Sequence, residues 1–428
     1  MTESPYCNTS ERRLYYRAVF MLSWKIMEPT PRAAAPNLFL ISILNFISFL
    51  DTTILIPIIA LYATTLDIGP GTVGFIIGLY SVVNSPTNLF SGRLIDRIGY
   101  RIPLLIGMAG SAACMFGYSL VKLPLQLGLV RALHGFFGGT KSPSMMTAFS
   151  ARADEQGRGR TMAFYGMSIA FANLAGFGMS GAIVTSSGYP LLFYIGTGIL
   201  AMGTLVSFLL PKLKISRQAT PRLAPRQVFR RIGGLLKRKG LVLSFAAVFA
   251  QYFSFGGIVT LLPLYVKGLG MDAFRVGMLL TVYTVVFIAF QVPSGILSDR
   301  LGRKRLVYAG LGLGAAALFL LPRVTGFGAL AAVMGVYGAA FGMLFPSVSA
   351  LVVDHAAPEE RGLASGVFHA LVTAGVAIGA PILGGFGSVF GLTVGLTVTP
   401  VVLALVLVIG FLFLRGPSSP EEKAGAGG

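Results

Sequence analysis

Apolar runs of about 20 residues, divided by short polar stretches, follow one another along the chain from residue 38 to residue 414. A helix needs about 20 mostly apolar residues to cross the hydrocarbon of a bilayer. The pattern predicts spans near 38–62, 72–91, 102–121, 125–149, 161–185 and 190–211. A second set is predicted near 241–266, 275–294, 306–322, 327–352, 362–386 and 391–414. Each run contains Gly or Pro, which lipid-embedded helices tolerate better than soluble ones.

One polar phrase recurs between the runs. Residues 91–102 read SGRLIDRIGYRI and residues 294–305 read SGILSDRLGRKR, an offset of 203 residues. The same offset carries Val73, Gly74, Tyr80, Val82 and Val83 onto Val276, Gly277, Tyr283, Val285 and Val286. It also carries Gly135, Gly139 and Pro143 onto Gly338, Gly342 and Pro346, Arg158 and Gly159 onto Arg361 and Gly362, and Gly176 and Gly181 onto Gly379 and Gly384. A constant offset without insertion predicts an all-α membrane protein of two pseudo-symmetric six-helix halves, 36–211 and 241–415. Residues 212–240 join them and hold ten basic residues, including Lys237, Arg238 and Lys239, together with Pro221 and Pro225. This stretch is expected to be a flexible cytoplasmic linker near the lipid headgroups, and 1–35 and 416–428 to be cytoplasmic tails.

Composition agrees with a membrane location. Of 428 residues 54% are hydrophobic and only 11% charged, against about 25% charged in soluble domains. The net charge of +19 would suggest nucleic acid if the cations formed a stripe on a polar domain. They lie between apolar runs instead, where they report topology and contact with anionic lipid. With the N-terminus inside, the tails and even-numbered connections hold 28 of the 34 Lys and Arg, and the opposite side holds Lys122, Lys267, Arg275 and Arg323. That bias predicts an N-in, C-in, multi-pass protein of the plasma or inner membrane. Cys7 and Cys114 make no disulfide framework, three histidines make no metal cluster, and residues 1–35 show no signal peptide. Neither metal nor organic cofactor is expected.

Of fifteen Asp and Glu, fourteen fall in tails, connections or span edges; the exception is Asp51, near the middle of the first span. A charged side chain there costs on the order of 3 kcal/mol on insertion scales, so a functional role is the default reading. The fourth span, LQLGLVRALHGFFGGTKSPSMMTAF, brings Arg131 about seven residues deep and Lys141 about seventeen. Either cation could face Asp51 within about 8 Å along the membrane normal. Arg131, Gly135, Gly138 and Ser142 share one helical stripe, and His134, Gly138 and Lys141 the adjacent one. His134 and His369 could act in a site or simply bond across a helix interface. In the seventh span, Phe249, Tyr252 and Phe253 share a face with Gln251 beside it, a composition suited to an amphipathic organic substrate.

The halves, the basic linker and the repeated phrase resemble the major facilitator superfamily, whose loop after the second span reads roughly G-x-x-x-D-R-x-G-R-R. Gly295, Asp299, Arg300, Gly302, Arg303 and Lys304 fit it fully; Gly92, Asp96, Arg97, Gly99 and Arg101 fit it with Tyr100 in place of a basic residue. The glycines are expected to turn the chain where a helix leaves the membrane. Asp96, acidic on a basic side, is expected to find a cationic partner. The resemblance implies a charge latch between the halves that stabilises the outward-facing state. Leu127 to Gly135, L-x-x-x-R-x-x-x-G, resembles the fourth-span motif of the drug:proton antiporter branch, where the arginine is linked to proton coupling. His134 stands where glutamine is often found. That branch typically carries G-P-x-x-G in the fifth span; here Gly176, Gly178 and Gly181 lie without proline, and Pro381 appears in the eleventh span.

These readings lead to a proton-coupled secondary transporter, exporting an amphipathic organic compound by alternating access, with Asp51 and Arg131 in proton coupling and Lys141, His134, Gln251 and Tyr252 as further site candidates. The alternative is an importer or exchanger of a small organic solute or anion. No Walker-type loop is present, so a proton gradient is the expected energy source. A membrane enzyme or non-transporting sensor is a distant reading, since no catalytic set or sizeable soluble domain is evident. Family precedent implies a monomer whose partners are its substrate, protons and lipid, with no nucleic acid.

Overall fold

The computed structural model describes residues 37–152, 158–211 and 225–413. Cys7, the tails 1–35 and 416–428, and residues 212–224 of the linker, with Pro221, lie outside them. Of Arg158 and Gly159 only the helical main chain is described. Among the described residues the chain is helical throughout, and ten helices are long and apolar enough to cross a membrane. Two more spans come from physical exceptions. Arg158–Ser207 breaks at Gly188, whose φ is +79°, so it is two spans meeting at a tight turn. Pro124–Arg152 is the fourth span, less apolar because it carries Arg131, His134 and Lys141. The total is the twelve spans read from hydropathy.

The remaining spans are Leu38–Leu55 continued by Ile59–Thr64, then Pro70–Ile98, Arg101–Tyr118, Lys239–Gly268, Ala273–Leu301, Arg303–Leu320, Phe327–His355, Arg361–Phe390, and Leu392–Val398 continued by Val401–Phe413. The first and twelfth are each interrupted, at Pro57 and Pro400, where proline removes a main-chain donor. The linker is not wholly irregular: Pro225–Leu235 is a helix.

The repeated phrase departs from expectation. The second and eighth spans run seven residues past their predicted ends, to Ile98 and Leu301, so most of the phrase is helix. Continuing the helix satisfies main-chain groups that a loop at the membrane edge would leave to water. Gly92 and Gly295 therefore lie inside helices and turn nothing. Only Gly99 and Gly302 turn the chain, at φ +80° and +95°, in a region essentially closed to residues with a Cβ. Gly99→Ala and Gly302→Ala are expected to lower stability by about 1–3 kcal/mol each. Gly92→Ala, whose Cβ would meet nothing, is expected to be neutral. Thermal unfolding in detergent distinguishes the two classes.

The halves meet chiefly through two helix pairs, the second span against the eleventh and the fifth against the eighth. Gly74 lies against the carbonyl oxygen of Ala380, and Gly277 against that of Phe177; Gly384 lies against Pro70 O, and Gly181 against Ala273 O. Each pair maps onto its partner by the 203-residue offset, so the repeated glycines form a seam related by the pseudo-two-fold axis. These close approaches involve the ends of the spans away from the Gly99 and Gly302 turns. At the same face Lys267 Nζ donates to Thr64 Oγ1 at 2.7 Å, again across the halves and here between two positions that are themselves 203 apart. Beyond the seam, toward the turns, Leu89, Phe90, Val292 and Ile296 are exposed. The conformation is therefore closed at the face of the Lys267 bond.

Candidate functional site

Asp51 is 1% exposed and faces the fourth span, not lipid. Its Oδ2 accepts from the ammonium of Lys141 and from Nε2 of His134 at 2.9 Å. Its Oδ1 accepts from Thr52 N at 2.6 Å and Thr52 Oγ1 at 3.2 Å. With donors on both oxygens, one of them an ammonium, the arrangement suits the ionised carboxylate. His134 Nδ1 lies 3.3 Å from the Tyr118 hydroxyl. A neutral ring protonated on Nε2 satisfies both contacts, donating to Asp51 and accepting from Tyr118.

Helix geometry explains which cation arrives. Side chains tilt toward the N-terminus of their helix. The fourth span runs past Asp51, with Arg131 N-terminal to its level and Lys141 C-terminal. The tilt carries Lys141 back onto Asp51 and Arg131 away from it. Arg131 instead lays its guanidinium 4.6 Å above the Tyr80 ring. Its Nε and Nη1 are buried with no hydrogen-bond partner among the described residues. The first half thus buries two basic side chains, Arg131 and Lys141, beside one carboxylate.

Close backbone approach makes room for the cluster. A Cβ at Gly107 of the third span would strike Thr140 Oγ1 and lie 2.7 Å from Lys141 Cγ, and one at Gly138 would strike the Tyr80 hydroxyl. Tyr80 also meets Thr52 Oγ1 at 3.2 Å and packs edge-on to His134, 5.5 Å between ring centres. Tyr80, Tyr118 and Thr52 escaped the sequence reading. Tyr80 had a signal as half of a repeated pair; Tyr118 had none.

The second half has no such charges. The offset maps Asp51 to Ser254, Arg131 to Met334, His134 to Tyr337 and Lys141 to Leu344. Tyr252 joins a wall of rings there: it packs against Phe341 at 5.5 Å and Phe255 at 6.5 Å, and Tyr283 stacks on Phe287 and Tyr337. Tyr252, Phe255, Phe287 and Phe345 remain partly exposed. Gln251 does not share that face. It is buried beside Gly310, Gly314, Tyr337 and Leu403, inside the half's own core, and its amide atoms lack partners among the described residues. His369 is exposed beside Phe368.

Among the described residues, those of the phrase form no ion pair between the halves in this conformation. Arg303 binds Asp299, and its Nε donates to Asp354 at 3.0 Å; all three belong to the second half. Asp96 and Arg97 are exposed and have no ion pair among the described residues. Arg101 donates to Phe208 O within the first half. Arg300 is exposed, and Lys304 partly so. Among the described residues no ion pair joins an acid of one half to a cation of the other at this end.

Residues 41–278 and 245–428 match the profile of the Major Facilitator Superfamily. Multidrug resistance protein 2 of Bacillus subtilis is 23% identical over 362 residues, covering 82% of this chain and 88% of that protein. The multidrug resistance protein MdtG of Citrobacter koseri is 30% identical over 309 residues, covering 70% of this chain and 73% of its own. Among solved structures, a bacterial homologue of the lysosomal transporter Spinster superposes with TM-score 0.77 at 14% identity, covering 91% of this chain and 99% of that one. The nucleoside transporter NupG gives 0.73 at 18% identity, covering 89% and 98%. Twelve spans in two related halves, with matches across both, place this chain in the major facilitator superfamily of multi-pass membrane transporters.

Proposed function

We propose that this transporter exports an amphipathic organic compound in exchange for protons. The observation that supports this most directly is the buried Asp51, held by Lys141 and His134 at positions whose equivalents in the other half, Ser254, Leu344 and Tyr337, carry no charge. In the reading offered, the N-in, C-in orientation puts the Gly99 and Gly302 turns inside, so the conformation described is inward-open. The ionised carboxylate fits a stage at which the proton has just left. Rocking the halves would uncover Asp51 from the other side, where proton uptake releases Lys141. The aromatic wall around Tyr252 would hold the apolar body of the compound. Relatives named for multidrug resistance favour export of such molecules.

A second reading, exchange or uptake of an organic anion, is favoured by Arg131, whose buried guanidinium faces no carboxylate. One experiment separates them. Inverted vesicles are given matched aromatic probes bearing a quaternary amine, an amide or a carboxylate, with and without an imposed proton gradient. Gradient-driven accumulation of the cationic or neutral probe is the expected result. Accumulation of the carboxylate alone favours the anion reading, and no gradient dependence for any transported probe refutes proton coupling.

A further inference from the structure

The helix Pro225–Leu235 lies between the halves in a stretch, 212–240, with ten Lys and Arg and no acid. Its described side chains have an ordered arrangement. Leu235 is fully buried against the protein, while Ile232 is partly exposed and Leu236, one turn on, is half-exposed. Arg230, Arg231, Lys237 and Lys239 are exposed and have no ion pair among the described residues. Arg238 differs. It lies 2.7 Å from Glu360 and donates from Nη1 to His355 O at 2.8 Å, clipping this segment to the ends of the tenth and eleventh spans.

A tether in water has no use for Ile232 and Leu236 on an open side. A helix at the rim of a membrane domain does: its apolar side enters the acyl boundary and its cations meet headgroup phosphates. We infer that the Pro225–Leu235 helix, with Lys237 and Lys239, binds anionic lipid headgroups of the adjoining leaflet. Because Glu360 immediately precedes the eleventh span, whose far end forms the seam, the clip passes leaflet charge to a helix that must move when the halves rock. The inference is independent of the transported compound.

The test uses the full chain in nanodiscs of phosphatidylcholine, with or without phosphatidylglycerol. Trp24, the single tryptophan, is changed to Phe and a reporter is placed by Leu236→Trp. Blue-shifted emission, quenched by brominated lipid, is expected in the anionic discs and not in the neutral ones. Combining Arg230→Gln, Arg231→Gln and Lys237→Gln should weaken the response roughly a hundredfold in anionic-lipid dependence. Hydrogen exchange of residues 225–239 in the unmodified protein gives a second readout, with slower exchange expected in the anionic discs. Equal emission and equal exchange in both lipids overturn the inference, as does a response the triple variant retains.

Discussion

Asp51→Asn will abolish gradient-driven transport and destabilise the first half. The amide keeps the volume and still accepts from His134, but it cannot neutralise Lys141, whose ammonium is then buried without a counter-charge. Removing one member of a buried ion pair costs about 3–5 kcal/mol. Adding Lys141→Leu separates stability from mechanism, because leucine already occupies the equivalent position, Leu344, in the second half. The double variant is expected to recover most of the lost stability and none of the proton-driven transport. Thermal unfolding in detergent and vesicle transport with and without a gradient read the two quantities. Full gradient-driven transport by Asp51→Asn would refute the coupling role. A double variant no more stable than the single one would refute the pairing account.

The second large effect concerns the seam. In Gly74→Ala combined with Gly277→Ala, each new Cβ meets a main-chain carbonyl oxygen of the opposite half, at Ala380 and Phe177. A backbone atom cannot swing aside as a side chain can, so the helices must part. Overpacking of this kind costs about 1–3 kcal/mol per site, and the penalty exists only while that face is closed. The equilibrium should therefore shift toward the state open at the Lys267 face, by tens-fold at the least. Spin labels at Thr65→Cys and Gly268→Cys, exposed positions flanking the Lys267–Thr64 bond, measure it in a Cys7→Ser, Cys114→Ala background. The label distance should lengthen in the double variant and stay unchanged in Gly128→Ala, whose Cβ would meet nothing. An unaltered distance in a folded Gly74, Gly277 double variant would remove the seam from the account of closure.

Twelve spans, two halves and their repeat were legible from the order of residues because each depends on local pattern: a run long enough to cross hydrocarbon and an offset that needs no geometry. The singularity of Asp51 was legible for the same reason, since a lone acid at mid-span stands out in one dimension. Its partner was not. Depth along the membrane left Arg131 and Lys141 equal; the tilt of side chains, together with the rotation of the fourth span, brought Lys141 and His134 to the carboxylate and turned Arg131 onto Tyr80. Rotation likewise separated Gln251 from Tyr252, adjacent residues whose side chains leave the seventh span in different directions. The repeated phrase was read as a loop because its charges suggested water, whereas the helix simply continues into water to keep its main chain paired. Periodicity states which residues share a face. Which neighbour that face meets is set by helix packing, and in this protein the glycines of the third, fourth and seam-forming spans set how close that neighbour comes.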